Sequence, residues 1–141
     1  MPAASPGPER RPVLVVDAAN VIGSVPDGWW RDRAGAVRRL RDSLGSVAAD
    51  GLPGLPGPVE VVLVVEGAAR AVEPVSGVSV VAAPRSGDGD DAIVRVVADR
   101  RAEPVYVVTA DRKLRERVSA LGAAVLRPKA LLGASHGRDP S

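Results

Sequence analysis

Residues 12–20 read PVLVVDAAN: an unbroken apolar run from Val13 to Val16 that stops at an acid, Asp17. A strand with one wet face alternates apolar and polar residues. A run without alternation is covered on both faces, as in a parallel sheet. An acid directly after such a run falls at the carboxyl end of its strand, the edge where open α/β sheets bind their ligands.

Working outward, VEVVLVVEG (59–67) repeats the pattern and ends in Glu66, and VSVVAA (78–83) gives a third strand. PVYVVTAD (104–111) is a fourth, ending near Asp111, and AAVLRP (123–128) is a fifth. Between them, Trp30, Ala34, Val37, Leu40, Leu44 and Val47 recur at helical spacing within VPDGWWRDRAGAVRRLRDSLGSV (25–47), with Asp27 as a plausible cap. The other face of that helix carries Arg31, Arg38, Arg39 and Arg41. DGLPGLPGP (50–58) breaks all periodicity and is expected to be a surface loop. Ile93, Val94, Val97 and Ala98 share a face of another helix. RKLRERVSALG (112–122) turns Leu114, Val118 and Leu121 inward and stops at Gly122.

Strand and helix therefore alternate, which predicts an α/β fold with a five-stranded parallel sheet, order 3-2-1-4-5, and helices on both faces. The ordered domain is expected over residues 12–132, with disordered tails at 1–11 and 133–141.

Composition excludes several chemistries. There is no Cys, so no disulfide, thiolate site or Cys nucleophile, and the one His, His136, lies in a polar tail. A Ser-His-Asp triad or a His-rich zinc site is thereby disfavoured. The N-terminus shows no apolar run before Arg10 and no stretch is long enough to span a bilayer, so a soluble cytoplasmic protein is expected. Of 19 basic residues 17 are Arg, which suits phosphate recognition, although GC-rich coding accounts for the total equally well. Aromatics are 2% of residues with no Phe, so base stacking cannot be the main mode of nucleic-acid binding.

The acids are the remaining signal. SGDGDDAIV (86–94) crowds Asp88, Asp90 and Asp91 ahead of a helix, more than capping requires. With the order 3-2-1-4-5, the first and fourth strands are neighbours, so Asp17 and Asp111 share a crevice that Asp90, with Asp91 or Asp88, can join. Such carboxylates repel one another unless a divalent cation compensates them, and oxygen donors alone select Mg²⁺ or Mn²⁺. Each residue also has a structural role open to it. Asp17, Asp88 and Asp111 can cap helices, Asn20 can stabilise a turn, and Glu66 can be solvated or flank the site. Trp29 and Trp30 fit core and rim packing, and the Arg face fits simple solvation.

Taken together, VLVVDAANVIGS, SGDGDDAIV and VYVVTADRKLRERV resemble the NYN branch of the PIN-like ribonucleases, with the YacP-like bacterial group closest. PDGWWRDRAGAVRRL resembles the form in actinobacterial members, and the likeness spans residues 12–132. It implies a PIN-like three-layer sandwich and metal-dependent hydrolysis of RNA. Carried over residue by residue, it implies catalytic Asp17, Asp90 and Asp111, with Asp91 helping them hold Mg²⁺ or Mn²⁺. Asn20, Thr109 and Arg112 would face substrate, joined by Arg31 and Arg38 from the basic helix. Many PIN-type nucleases carry a further acid shortly after the last of these; here Arg112 and Lys113 follow Asp111, so one ion is implied.

Two other functions compete. A non-catalytic RNA-binding module would use Arg31, Arg38, Arg39 and Arg112 on phosphates. A phosphoacceptor domain would need paired acids after the first strand, where Ala18 and Ala19 stand instead. The Arg-rich helix would serve a homodimer contact as readily as nucleic acid.

Overall fold

The computed structural model describes residues 11–25, 28–84 and 89–131. Its strands are β1 (Val13–Asp17), β2 (Gly51–Leu52), β3 (Leu55–Pro56), β4 (Glu60–Val65), β5 (Val78–Ala82), β6 (Val105–Val108) and β7 (Ala124–Leu126). The α-helices are α1 (Ala18–Gly23), α2 (Arg33–Asp50), α3 (Gly89–Asp99) and α4 (Arg112–Ala120). Five strands form one parallel sheet in the order β5-β4-β1-β6-β7, which is 3-2-1-4-5 when its strands alone are counted. The fold is thus the expected PIN-like α/β sandwich.

β1 is central, paired with β4 on one side and β6 on the other, and Val13 to Val16 are wholly buried. Alternate residues serve different layers. Leu14 and Val16 join Leu63, Val37 and Leu44 under α1 and α2, while Val13 and Val15 join Val62, Val107, Ile93 and Leu114 under α3 and α4. Two apolar layers back to back explain why the run at 13–16 shows no alternation. β5 is an edge strand, and its burial is correspondingly uneven: Ser79 and Ala82 are exposed.

Several local expectations need correction. Trp30 does not pack into the core; it sits in a 3-10 turn (Trp29–Arg31) ahead of α2 and is 59% exposed. Asp32 caps α2, accepting from the Gly35 N–H at 3.0 Å, and a side chain at position 35 would collide with that carboxylate. Residues 50–58 are not a bare loop. α2 continues to Asp50, and β2 and β3 then form a small antiparallel hairpin that buries Leu52 and Leu55. On α3 it is Ile93 and Val97 that are buried, while Ala98 is exposed. α4 ends as expected: Leu114 and Val118 are buried, Leu121 is half-buried, and Gly122 takes φ +94. Asp27, Asp88, His136, the Trp29 side chain and, Arg11 apart, both expected tails lie outside the described residues.

Candidate active site

The chain leaves β1 toward β4 and β5 on one side, then returns through α3 to β6 on the other. The strand order therefore reverses between β1 and β6, and side chains at their carboxyl ends border a crevice. Asp17 closes β1 and at the same time caps α1, taking the Asn20 N–H on Oδ1 at 3.4 Å. The six-residue α1 itself has no counterpart among the sequence expectations; it lets Asp17 serve as both strand end and cap. The other oxygen, Oδ2, accepts from the buried Thr109 hydroxyl at 2.9 Å, across from β1 to the residue after β6.

The same hydroxyl accepts from the Asp111 N–H at 3.1 Å, and Asn20 Oδ1 accepts from the Ala110 N–H at 2.8 Å. Thr109 and Asn20 thus stitch the 109–111 loop to the end of β1. Asn20 works across strands and not through its own turn. Asp111 is oriented by α4, its Oδ1 receiving the Leu114 N–H at 2.9 Å.

Asp17 is 5% exposed. Burial pushes its carboxyl up to about 6; the Thr109 and Asn20 donors oppose this, while the charges of Asp90 and Glu66 add to it. Asp90 stands in the first turn of α3. Glu66 follows β4 and accepts from the Gly89 N–H at 3.1 Å, fixing the start of α3 beside the end of β4. Of the two roles the sequence leaves open for Glu66, solvation or a place flanking the site, its charge on Asp17 fits the second; it ends its apolar run as Asp17 does, but the sequence carries nothing about its direction.

Of the expected ligands, Asp17 and Asp90 are brought within electrostatic reach of each other. Asp91 faces α4 instead, where Arg117 holds it at 3.1 Å. Asp111 is committed to its cap through one oxygen. Among the described residues no three acidic side chains are grouped so as to hold an ion as they stand. The donor set is nonetheless of the right chemistry: carboxylate oxygens only, one of them buried and destabilised in its charged form, which suits a hard divalent cation. Arg31, Arg38, Arg112 and Lys113 are exposed. Arg112 sits one residue past Asp111, where its loose 3.8 Å pairing with Glu116 leaves it 90% exposed. A groove of about 440 Å³ between α2 and β5 lies at the opposite, amino edge and contains none of these acids.

No protein-family model and no curated protein matches this chain. Solved structures do. Rae1 (YacP) from Bacillus subtilis superposes with a TM-score of 0.72 at 17% identity, over 89% of this chain and 74% of that one. A single-substitution mutant of the same protein gives 0.68 at 18% identity over the same shares. The fold is the Rae1 (YacP) fold. At that identity the likeness to Rae1 is one of architecture, and it agrees with the YacP-like resemblance carried by the motifs around Asp17, Asp90 and Asp111. No α-helix among the described residues is long and apolar enough to cross a membrane.

Proposed function

We propose that this chain is a divalent-metal-dependent ribonuclease that hydrolyses RNA phosphodiester bonds at the carboxyl edge of its sheet. The observation carrying the reading is the state of Asp17: a buried carboxylate at the sheet's switch point, pushed up to about 6 with the charges of Asp90 and Glu66 bearing on it. A carboxyl whose charged form is disfavoured by burial and by neighbouring acids, set at the carboxyl edge of such a sheet, is the kind of group that functional sites concentrate.

Asp17 and Asp90 would hold the ion, with Glu66 beside them; Asp111 through its second oxygen, and Asp91 on release from Arg117, would complete the set. Bound Mg²⁺ or Mn²⁺ supplies a lowered pKa for water and compensation of phosphate charge. Thr109 keeps Asp17 turned toward the crevice, and Asn20 holds the 109–111 loop so that Arg112 is presented to a phosphate. Arg31 and Arg38 extend the cationic surface along the start of α2. The protein is further proposed to act in the cytoplasm.

A second reading has an observation in its favour. Because the acids are not grouped as they stand, and Asp91 and Asp111 have structural partners, a non-catalytic RNA-binding module of the same fold is the alternative. Calorimetric titration with Mn²⁺ alongside cleavage of labelled RNA separates the two. The ribonuclease reading expects metal-dependent cleavage that Asp17→Asn abolishes while the fold persists. RNA binding without cleavage in any divalent ion selects the binding module.

A further inference from the structure

We propose that the groove between α4 and the edge strand β7 carries an RNA strand away from the acidic crevice, with Arg115 holding a backbone phosphate beyond the one that Arg112 meets. The inference rests on the RNA-directed reading above and gives the bound strand a direction across the protein.

Arg115 is an exception among the arginines. A half-buried guanidinium is poorly hydrated and normally finds an acceptor for its donors. Asp42 and the Glu73 carbonyl hold Arg41, the Ala83 carbonyl holds Arg70, and Glu60 with Glu103 holds Arg100, all three being half-buried. Half-buried Arg33 also has a partner. Arg115 is half-buried too, yet no acceptor among the described residues takes its guanidinium.

Its surroundings form a groove of about 360 Å³, lined with it by Arg112, Glu116, Ser119 and Val125. Helical geometry explains the set. At about 100° per residue, positions 112, 115, 116 and 119 share one flank of α4, beside β7, and span about 10 Å of rise. Arg117 falls on the other flank, where it reaches Asp91 on α3. Half-buried Val125 gives the groove an apolar wall, which lowers the competition from water for an anion bound to Arg115.

The groove opens at the site. α4 starts one residue after Asp111, so Arg112 stands at the carboxyl edge and Ser119 toward the amino edge. The Leu126 carbonyl accepts from the Thr109 N–H at 3.0 Å, which sets the exposed Arg127 and Lys129 close to the 109–111 loop. On the β4 and β5 side stands Glu66, and Arg33 and Arg70 there are engaged within the protein. A polyanion leaving the acids is therefore drawn toward β7. Glu116 is the acid lining the groove; its 3.8 Å pairing with Arg112 is exposed on both partners and yields readily to a phosphate. A planar guanidinium with a hydroxyl one helical turn on suits a phosphodiester, and such contacts carry no base preference.

The test uses the full chain carrying Asp17→Asn, so that RNA stays intact, and reads anisotropy of a labelled single-stranded RNA as salt is varied. Arg115→Ala is expected to weaken binding on the order of 10-fold. The slope of log affinity against log salt should become shallower by about 0.7, the value of one phosphate contact on a single strand. Arg115→Lys should restore the slope but only part of the affinity, because it keeps the charge and loses the fork. Arg101→Ala removes an exposed Arg beyond α3, at the amino edge, and should change neither quantity. Ser119→Glu leaves Arg115 in place, sets an acid in the same groove and should weaken binding as well.

An Arg115→Ala protein that melts normally and loses no more affinity or slope than Arg101→Ala overturns the track and leaves the RNA reading standing. If Arg115→Ala does not fold, undiminished affinity in Ser119→Glu overturns it in the same way. A parent protein that binds no RNA overturns both.

Discussion

Thr109 and Asp17 lie 92 positions apart in sequence, yet the Thr109 hydroxyl donates to Asp17 Oδ2 at 2.9 Å while accepting from the Asp111 N–H at 3.1 Å. One buried oxygen thereby ties two of the acids to a common frame. A hydrogen bond to a buried charge contributes about 1.5–3 kcal/mol. Thr109→Val should therefore destabilise the protein by about that much at pH 8. At pH 5, where Asp17 holds its proton, the loss should be smaller. Thr109→Ser keeps the hydroxyl and should cost only about 1 kcal/mol for the missing methyl. Thermal melts of the three proteins at both pH values check this; an equal loss at pH 5 and pH 8 would count against a charged Asp17 as the acceptor.

The raised Asp17 has a definite consequence for pH. Its carboxyl titrates near 6 in the folded chain against an ordinary 3.8, so between those values the folded state holds a proton that the unfolded state has released. Stability contributed by this group is present at low pH and is lost as pH rises through that window, by on the order of 2–3 kcal/mol in the absence of divalent ions. Other carboxylates change stability in the opposite sense, so the quantity to measure is a difference. Asp17→Asn minus wild type, from urea unfolding in EDTA, should increase from pH 4 to pH 6 and stay level above. A flat difference would mean that Asp17 is not destabilised in its charged form.

Divalent ions should reverse that penalty. If Asp17 and Asp90 hold Mn²⁺, added metal should raise the melting temperature of wild type at pH 7 in proportion to the logarithm of its concentration above Kd, and leave Asp17→Asn unmoved. An equal rise in both proteins would place the ion elsewhere.

The sheet was legible because β1 and β4 are buried on both faces, and burial of that kind forces an unbroken apolar run. The small hairpin was not. In LPGLP the Pro and Gly punctuate the chain, but Leu52 and Leu55 on either side of them are both buried, a pairing that only the packed structure displays. Trp30 was misread because its spacing matches the apolar stripe of α2, whereas α2 begins after it, at Arg33. The acidic cluster was legible as a cluster and not as a geometry. Neighbours on a helix point about 100° apart, so of Asp90 and Asp91 one bears on Asp17 and the other reaches Arg117 on α4.

Away from the site, Arg100 joins Glu60 at the start of β4 to Glu103 before β6, with Nη1–Oε2 at 2.9 Å and Nε–Oε1 at 2.6 Å. Arg100 holds the Glu60 carboxyl below its usual range. The pair's contribution is therefore complete above the ordinary carboxylate range and is lost as pH falls through the depressed value. The Glu60 side chain is 36% exposed, so solvent screening limits the contribution to about 1 kcal/mol. Arg100→Met should cost about that at pH 7 and low salt, and less in 1 M NaCl or at pH 3, as read from urea midpoints.

Glu66 offers the sharpest check on whether the acids interact at all. Gln at this position can still accept the Gly89 N–H, so the start of α3 is preserved while the charge beside Asp17 disappears. Removing a like charge lowers the cost of ionising Asp17, so its titration midpoint, followed by carboxyl carbon NMR, should move below about 6 in Glu66→Gln. Metal-free stability at pH 7 should rise by on the order of 1 kcal/mol, and affinity for Mn²⁺ should fall, because the same charge that repels Asp17 attracts the ion. Gly89→Ala approaches the residue from the other side. A Cβ there would stand 2.9 Å from Glu66 Oε2, and the flexible end of that side chain has to yield. Ala also favours the helix at this position, so the protein should fold at least as well. The displaced Glu66 should then alter the Asp17 midpoint without any change of charge in the chain. If the midpoint stays near 6 in both variants, Glu66 and Asp17 are electrostatically independent, and burial together with the Asp90 charge accounts for the raised carboxyl.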